Sequence, residues 1–297
     1  MQKKISMEIW MLLPAVIVLA ILSIYPFVYL IRMSFMNFPL TPEAKPVFIG
    51  LRNWIKIFND PFFTVSWMLT VKYYSVALSL QIVLGTFIAV VISEIKILRN
   101  AATFMLIAPM FLAPVLVGLV WRFLLNETYG IYFYIAEELN FFGLLENLGL
   151  SVRNSFFASR TLALPSIILI DTWQWTPLIV LIMLAGINSI SPELLEVASI
   201  DGANFYQKFR FVTFPLLKSA FIVALLIRTM DLVRWFTKIY IITRGGPGDA
   251  TKIVGMRTYE VGFRFYDLGR ASAMALTILA FSIILGIIFV RLFPREA

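Results

Sequence analysis

The chain has 297 residues, of which 60% are hydrophobic and only 14% charged, and its mean hydropathy is +0.88. Soluble domains carry about 25% charged residues, so an ordinary soluble fold is excluded and the chain belongs against lipid. Cysteine and histidine are both absent, which excludes disulfides, thiol nucleophiles, zinc sites and histidine acid–base chemistry, and the net charge of +8 comes without the basic, aromatic-studded stripe of a nucleic-acid surface.

Apolar runs of about 20 residues cross a bilayer as helices, because a backbone in lipid must bond to itself. In chain order they fall at about 9–31, 66–93, 101–125, 162–187, 219–243 and 271–292. The first follows Met1-Gln2-Lys3-Lys4, is longer than the core of a cleavable signal and holds Pro14 and Pro26, so it is expected to be an uncleaved span. Pro109 and Pro114 in the third run, and Pro165 and Pro177 in the fourth, are candidate kinks. Between the third and fourth runs, Tyr129 to Leu150 is amphipathic and is expected to lie as a connector on the bundle or the interface. The expected fold is an all-α membrane protein of six transmembrane helices, a single domain over 1–297.

Six spans put both termini on one side, together with the 94–100 and 188–218 connections. Lys3, Lys4, Lys96, Arg99, Lys208, Arg210, Lys218, Arg291 and Arg295 lie near span ends there, while the longer loops opposite spread more basic residues over more chain. Density near span ends is what the positive-inside rule weighs, and it favours cytoplasmic termini.

The connection at 188–218 is the one long polar segment with a helical pattern. Ser191-Pro192-Glu193 is a helix start: serine can cap, proline fits the first position and glutamate complements the dipole. Leu194, Val197, Ala198 and Ile200 give an apolar face, Gly202 permits a turn, and Asn204 can cap a second short helix over Phe205 to Val212. In that helix Phe205 and Phe209 share a face. Such a segment suits a helix-in-groove interface or an amphipathic connector resting on headgroups.

Charges also occur where lipid is expected. Asp171 lies about ten residues into the fourth run and Arg228 about ten into the fifth, hence roughly 15 Å deep. Asp231 is one turn beyond Arg228, with Arg234 and Lys238 further on. Charges at that depth must face the bundle, pair or meet water. Arg228 and Asp231 at i, i+3 can neutralise each other, with Asp171 pairing to an arginine across helices, as scaffold or as part of a pathway.

Glu196-Val197-Ala198-Ser199-Ile200-Asp201-Gly202-Ala203, followed by Phe209 and Phe214-Pro215-Leu216-Leu217, resembles the cytoplasmic "EAA" loop of ABC importer permeases. Val197 stands where that pattern has its first alanine. Arg228-Thr229-Met230-Asp231, Ile239-Tyr240, Thr243, Gly245-Gly246-Pro247 and Thr251 look like the fifth span and outer turn of carbohydrate-uptake permeases, a likeness continued by Tyr259, Phe263, Gly269 and Ala271-Ser272-Ala273.

The resemblance implies a type I ABC importer permease bundle with a cytoplasmic coupling helix between helices 4 and 5. Glu196, Ala198, Asp201, Gly202, Ala203, Phe205 and Phe209 would couple to an ATPase. It implies a second homologous permease, two ATP-binding subunits that hydrolyse ATP, and an extracytoplasmic solute-binding protein, in the inner membrane of a bacterium or archaeon. No cofactor, metal or nucleic acid is expected on this chain, and no bond-making chemistry, since it has no phosphate-binding Gly-Lys-Ser/Thr loop. Asp171, Gln174, Trp175, Arg228 and Asp231 would line the path of a sugar or sugar-like solute; Trp173-Gln174-Trp175 offers ring faces for stacking and an amide for hydroxyls. The alternative is a secondary transporter driven by Asp171, Arg228 and Asp231, which would need repeat symmetry that is not visible.

Overall fold

The structure is a computed structural model and describes residues 7–39, 45–95, 97, 99–150, 155–234 and 236–292. Lys3, Lys4, Lys96 and Arg295, weighed above for topology, lie outside the described residues.

The described residues of 1–64 and 257–279 form one compact unit. Helix α1 (Met7–Ser34) is apolar on every side, and none of its most apolar stretch is buried inside the chain. Strands β1 (Met36–Asn37) and β2 (Val47–Phe48) pair antiparallel, with Met36 opposite Phe48, and helix α2 (Arg52–Phe58) follows. Buried Asn53 closes this corner: its Nδ2 donates to the carbonyls of Ser34 at 3.0 Å and Met36 at 2.8 Å, groups freed at a helix end and a strand start.

The second unit comprises the described residues of 65–256 and 280–297. Its helices are α3 (Pro61–Glu94), α4 (Arg99–Ile107), α5 (Pro114–Leu124), α6 (Ile131–Glu138), α7 (Phe141–Asn147) and α8 (Ala163–Asn188). They continue as α9 (Pro192–Ile200), α10 (Phe205–Lys208), α11 (Phe214–Leu216), α12 (Lys218–Arg234), α13 (Thr237–Ile242), α14 (Val254–Tyr259) and α15 (Leu268–Leu292). Helices α3, α14 and α15 each have residues in both units.

Among the described residues four helices, α1, α3, α8 and α15, are long and apolar enough to cross a membrane, and two bent pairs raise the number to six. The third expected span, 101–125, is not one helix. A 3-10 turn at Ala108–Phe111 follows α4, and the chain then turns by 96° into α5. Pro109 and Pro114 donate no backbone bond, and Ala113, preceding proline, is extended at φ −58° and ψ 135°. The second bent pair is Phe205–Leu216 with Lys218–Ile242, at 64°, so its bend falls just ahead of the fifth expected span, 219–243, within which α12 is described to Arg234 and α13 from Thr237. The expected connector at 129–150 folds as α6 and α7, pinned by Phe133, Phe142, Phe156 and Leu162.

Helix α8 is the centre of the second unit, with 67% of its most apolar stretch buried. Ile179, Val180 and Met183 pack against Ala89 and Ile92 of α3 and Ala224 of α12. Gly85 lets α3 come this close: a Cβ there would sit 2.6 Å from the Ile179 side chain. That contact brings the residue one turn earlier on α3, Gln81, level with the polar side chains of α8.

Candidate functional site

Asp171, from the middle of α8, is the hub of a buried polar cluster. Its Oδ2 accepts from Gln81 Nε2 at 2.8 Å and from Arg228 Nη2 at 2.9 Å, and its Oδ1 accepts from Lys238 Nζ. Arg228, the largest fully buried side chain, also donates its Nε to Gln81 Oε1 at 2.8 Å and lies 3.5 Å from Asp231. Its guanidinium sits over the Trp175 ring, 5.1 Å from the centroid. Buried charges survive only when paired and hydrogen-bonded, because desolvation costs several kcal/mol per ion; here each buried charge has an opposite charge and an amide.

The cluster also reaches a helix break. Gln174 Oε1 accepts from Lys238 Nζ at 3.1 Å, and Gln174 Nε2 donates to the Leu112 carbonyl at 2.9 Å. Leu112 is extended between the 3-10 turn and α5, so its carbonyl has left the helical ladder and takes a side-chain donor instead. The cavity beside the cluster, lined by Tyr73, Trp175, Asp231 and Leu232 among others, holds about 10 Å³, room for one water at most.

The five expected pathway residues therefore separate into two kinds. Asp171, Gln174 and Arg228 are buried with their polar atoms bonded, whereas Trp175 is half-buried and the Asp231 side chain is 25% exposed. Trp173 points elsewhere, packing edge-on against Trp121 with ring centroids 5.4 Å apart. Two cluster residues, Gln81 and Lys238, carry a weaker signal in the sequence. Gln81 is a lone amide in an apolar run and carries the same depth signal as Asp171; Lys238 is one more charge beyond Asp231 near the end of its run.

In the connecting segment, Ser191 takes the extended backbone of a helix cap, but its side chain makes no capping bond, contrary to expectation. Pro192 and Glu193 occupy the first turn of α9 as expected. Its end is a Schellman motif: Gly202, at φ +78°, donates to the Ser199 carbonyl at 3.1 Å, and Ala203 donates to that of Ala198 at 2.9 Å. Glu196, Val197, Ile200 and Asp201 stand exposed on the turn this creates.

Asn204 closes a capping box: its Oδ1 accepts from the Gln207 amide at 2.9 Å, while Gln207 Oε1 accepts from the Asn204 amide at 2.8 Å. The second helix differs from the expected Phe205 to Val212. It is α10, and the ladder then widens to a π-turn over Phe209–Thr213. Phe205 and half-buried Phe209 face a cleft of about 490 Å³ against Ile82 and Phe87 of α3. They also border a second cleft, of about 730 Å³, with Glu94, Glu196, Ser199 and Lys208.

Comparison with known proteins matches residues 81–297 to the family "Binding-protein-dependent transport system inner membrane component". That stretch holds the whole cluster and the whole connecting segment. The trehalose/maltose transport system permease protein MalF of Thermococcus litoralis is 32% identical over 283 residues, covering 95% of this chain and 91% of that protein. The sulfoquinovosyl glycerol transport system permease protein SmoG of Agrobacterium fabrum is 28% identical over 286 residues, covering 96% and 90%. A chain from the crystal structure of a bacterial ABC transporter importing the acidic polysaccharide alginate shares the fold, with a TM-score of 0.78 at 21% identity, covering 98% of this chain and 97% of that one.

Proposed function

This chain belongs to the family of inner-membrane components of binding-protein-dependent transport systems, and we propose that it is the sugar-conducting permease subunit of an ATP-driven importer. It is a transport component, not an enzyme. The observation that carries the proposal is the family match over 81–297, and the relatives named for trehalose/maltose and sulfoquinovosyl glycerol support a sugar-like solute. The secondary-transporter alternative is not favoured, since the matched family works with a binding protein.

On this proposal 1–297 is one permease domain with cytoplasmic termini, forming half of a pathway completed by a second homologous permease. An extracytoplasmic protein delivers the solute, and two ATP-binding subunits hydrolyse the ATP. The connecting segment at 188–218 is the coupling element. Glu196, Asp201 and the exposed turn meet the ATPase; Ala198, Gly202 and Ala203 fix the angle of that turn; Phe205 and Phe209 line the clefts between it and α3. A push on the turn is then passed to the bundle and not lost in a floppy loop.

On this proposal Trp175 and Asp231, the less buried members of the cluster, meet the solute. An indole face stacks on a sugar ring and a carboxylate accepts from hydroxyls. Arg228 touches both side chains, and Asp171 holds Arg228 in turn.

Co-purification and uptake test the proposal. The chain, expressed with its partner subunits and reconstituted in proteoliposomes, should accumulate a sugar only with internal ATP and external loaded binding protein. Accumulation driven by an ion gradient without either would overturn it.

A further inference from the structure

Helix α5 begins just after the extended residues Leu112 and Ala113, α13 begins just after Phe236, and the two helices pack against each other: Arg122 Nη1, in the last turn of α5, donates to the Ile241 carbonyl of α13 at 3.1 Å. Their polar attachments to α8 run through two neighbouring side chains. Gln174 holds the Leu112 carbonyl just ahead of α5, and Lys238, in the first turn of α13, bonds both Asp171 and Gln174. Lys238 is buried, so this attachment is made in a low-dielectric interior where its loss leaves a carboxylate short of a donor.

We propose that Lys238 is a positioning residue for transport: through Asp171 and Gln174 it seats the α5–α13 pair on α8 and so closes the wall on which Trp175 and Asp231 meet the solute. The small cavity at that wall is bordered by Lys238 itself, together with Trp175 and Asp231. A shift of α13 therefore changes its size directly. The ammonium is a single charge with three donors, which lets one side chain hold two acceptors on the same helix face, Asp171 and Gln174 at i, i+3. A methionine of similar length fills the space and holds neither. The inference rests on the permease function proposed above.

The test reads helix seating and transport separately. The chain has no cysteine, so spin labels at Val115→Cys on α5 and Leu169→Cys on α8, both exposed positions, report the distance between the two elements in the assembled complex. With Lys238 present the distance distribution should be narrow. In Lys238→Met it should broaden or shift, and turnover per assembled complex should fall roughly tenfold with little change in the half-saturating concentration of loaded binding protein. Gln174→Leu, which leaves the ion pair intact, should broaden the distribution in the same way.

Where Lys238→Met fails to assemble, the double variant Asp231→Asn/Lys238→Met leaves Asp171 and Arg228 as a one-to-one ion pair, and the broadening must persist there. A narrow, unshifted distribution in that double variant, or in Lys238→Met itself, overturns the proposal. Failure of the unmodified complex to take up sugar, with the label distances behaving as expected, refutes the permease function and leaves the seating role standing.

Discussion

Arg228 is held more closely by Asp171, 2.9 Å away on a neighbouring helix, than by Asp231, 3.5 Å away on its own helix. The first pair is fully buried and the second has one partner 25% exposed, so solvent screens only the second. Removing Asp171 should cost about 3–5 kcal/mol, because the buried cations Arg228 and Lys238 lose the carboxylate they share; removing Arg228, which leaves Asp171 paired with Lys238, should cost less. In double-mutant cycles on the purified complex, measured by denaturant titration, the 171–228 coupling should exceed the 228–231 coupling. Additive losses at 171 and 228 would contradict the ion pair.

Gly202 should be sensitive to backbone preference and indifferent to size. Nothing lies within 4 Å of a Cβ built there, yet its φ is +78°. Gly202→Val should cost about 1–2 kcal/mol at the turn, leave membrane levels unchanged and abolish ATPase stimulation by loaded binding protein. Gly202→Asn, which tolerates the left-handed region, should retain most of it. Equal activity in the two variants would remove the turn from the coupling route.

The capping box makes a separate prediction for the second arm. Asn204→Ala removes the acceptor for the Gln207 amide and should destabilise α10 by about 1 kcal/mol. Asn204→Asp keeps it. Stimulated ATP hydrolysis should drop severalfold in the first variant and stay near wild type in the second.

The segment Arg244 to Tyr266 is expected to meet the binding protein, but only some of its residues are accessible. Thr251 is fully buried and bonds Thr243 Oγ1 at 2.7 Å and the Gly246 carbonyl at 2.9 Å, so it braces the turn. Asp249 has an exposed side chain, at 37%. A crosslinker on Asp249→Cys should capture the binding protein from outside. Capture of the ATPase instead would invert the proposed topology.

The apolar runs were legible because lipid selects on composition over about 20 residues. The breaks within them were less so. Prolines at 109 and 114 marked a place for a kink, but the 96° turn depends on Leu112 finding a donor on another helix. Depth alone picked out Asp171 and Arg228. Gln81 and Lys238 acquire meaning only from their partners, 90 and 67 positions away along the chain. In the connecting segment, Gly202 and Asn204 act through local backbone bonds and were readable for that reason. The π-turn over Phe209–Thr213 was not readable in the same way.

The hub carboxylate also has a history within each molecule's synthesis. Asp171 leaves the ribosome 57 residues before Arg228 and 67 before Lys238, whereas Gln81 is already made. A lone aspartate at the centre of a helix costs about 2.5–3.5 kcal/mol at insertion. The amide on α3 is thus the first partner on hand while α8 enters the bilayer, and the two cations arrive later with α12 and α13. A nascent chain without Gln81 meets that barrier with no helper from the cluster, so this side chain bears on how the protein is made as well as on how it stands once finished.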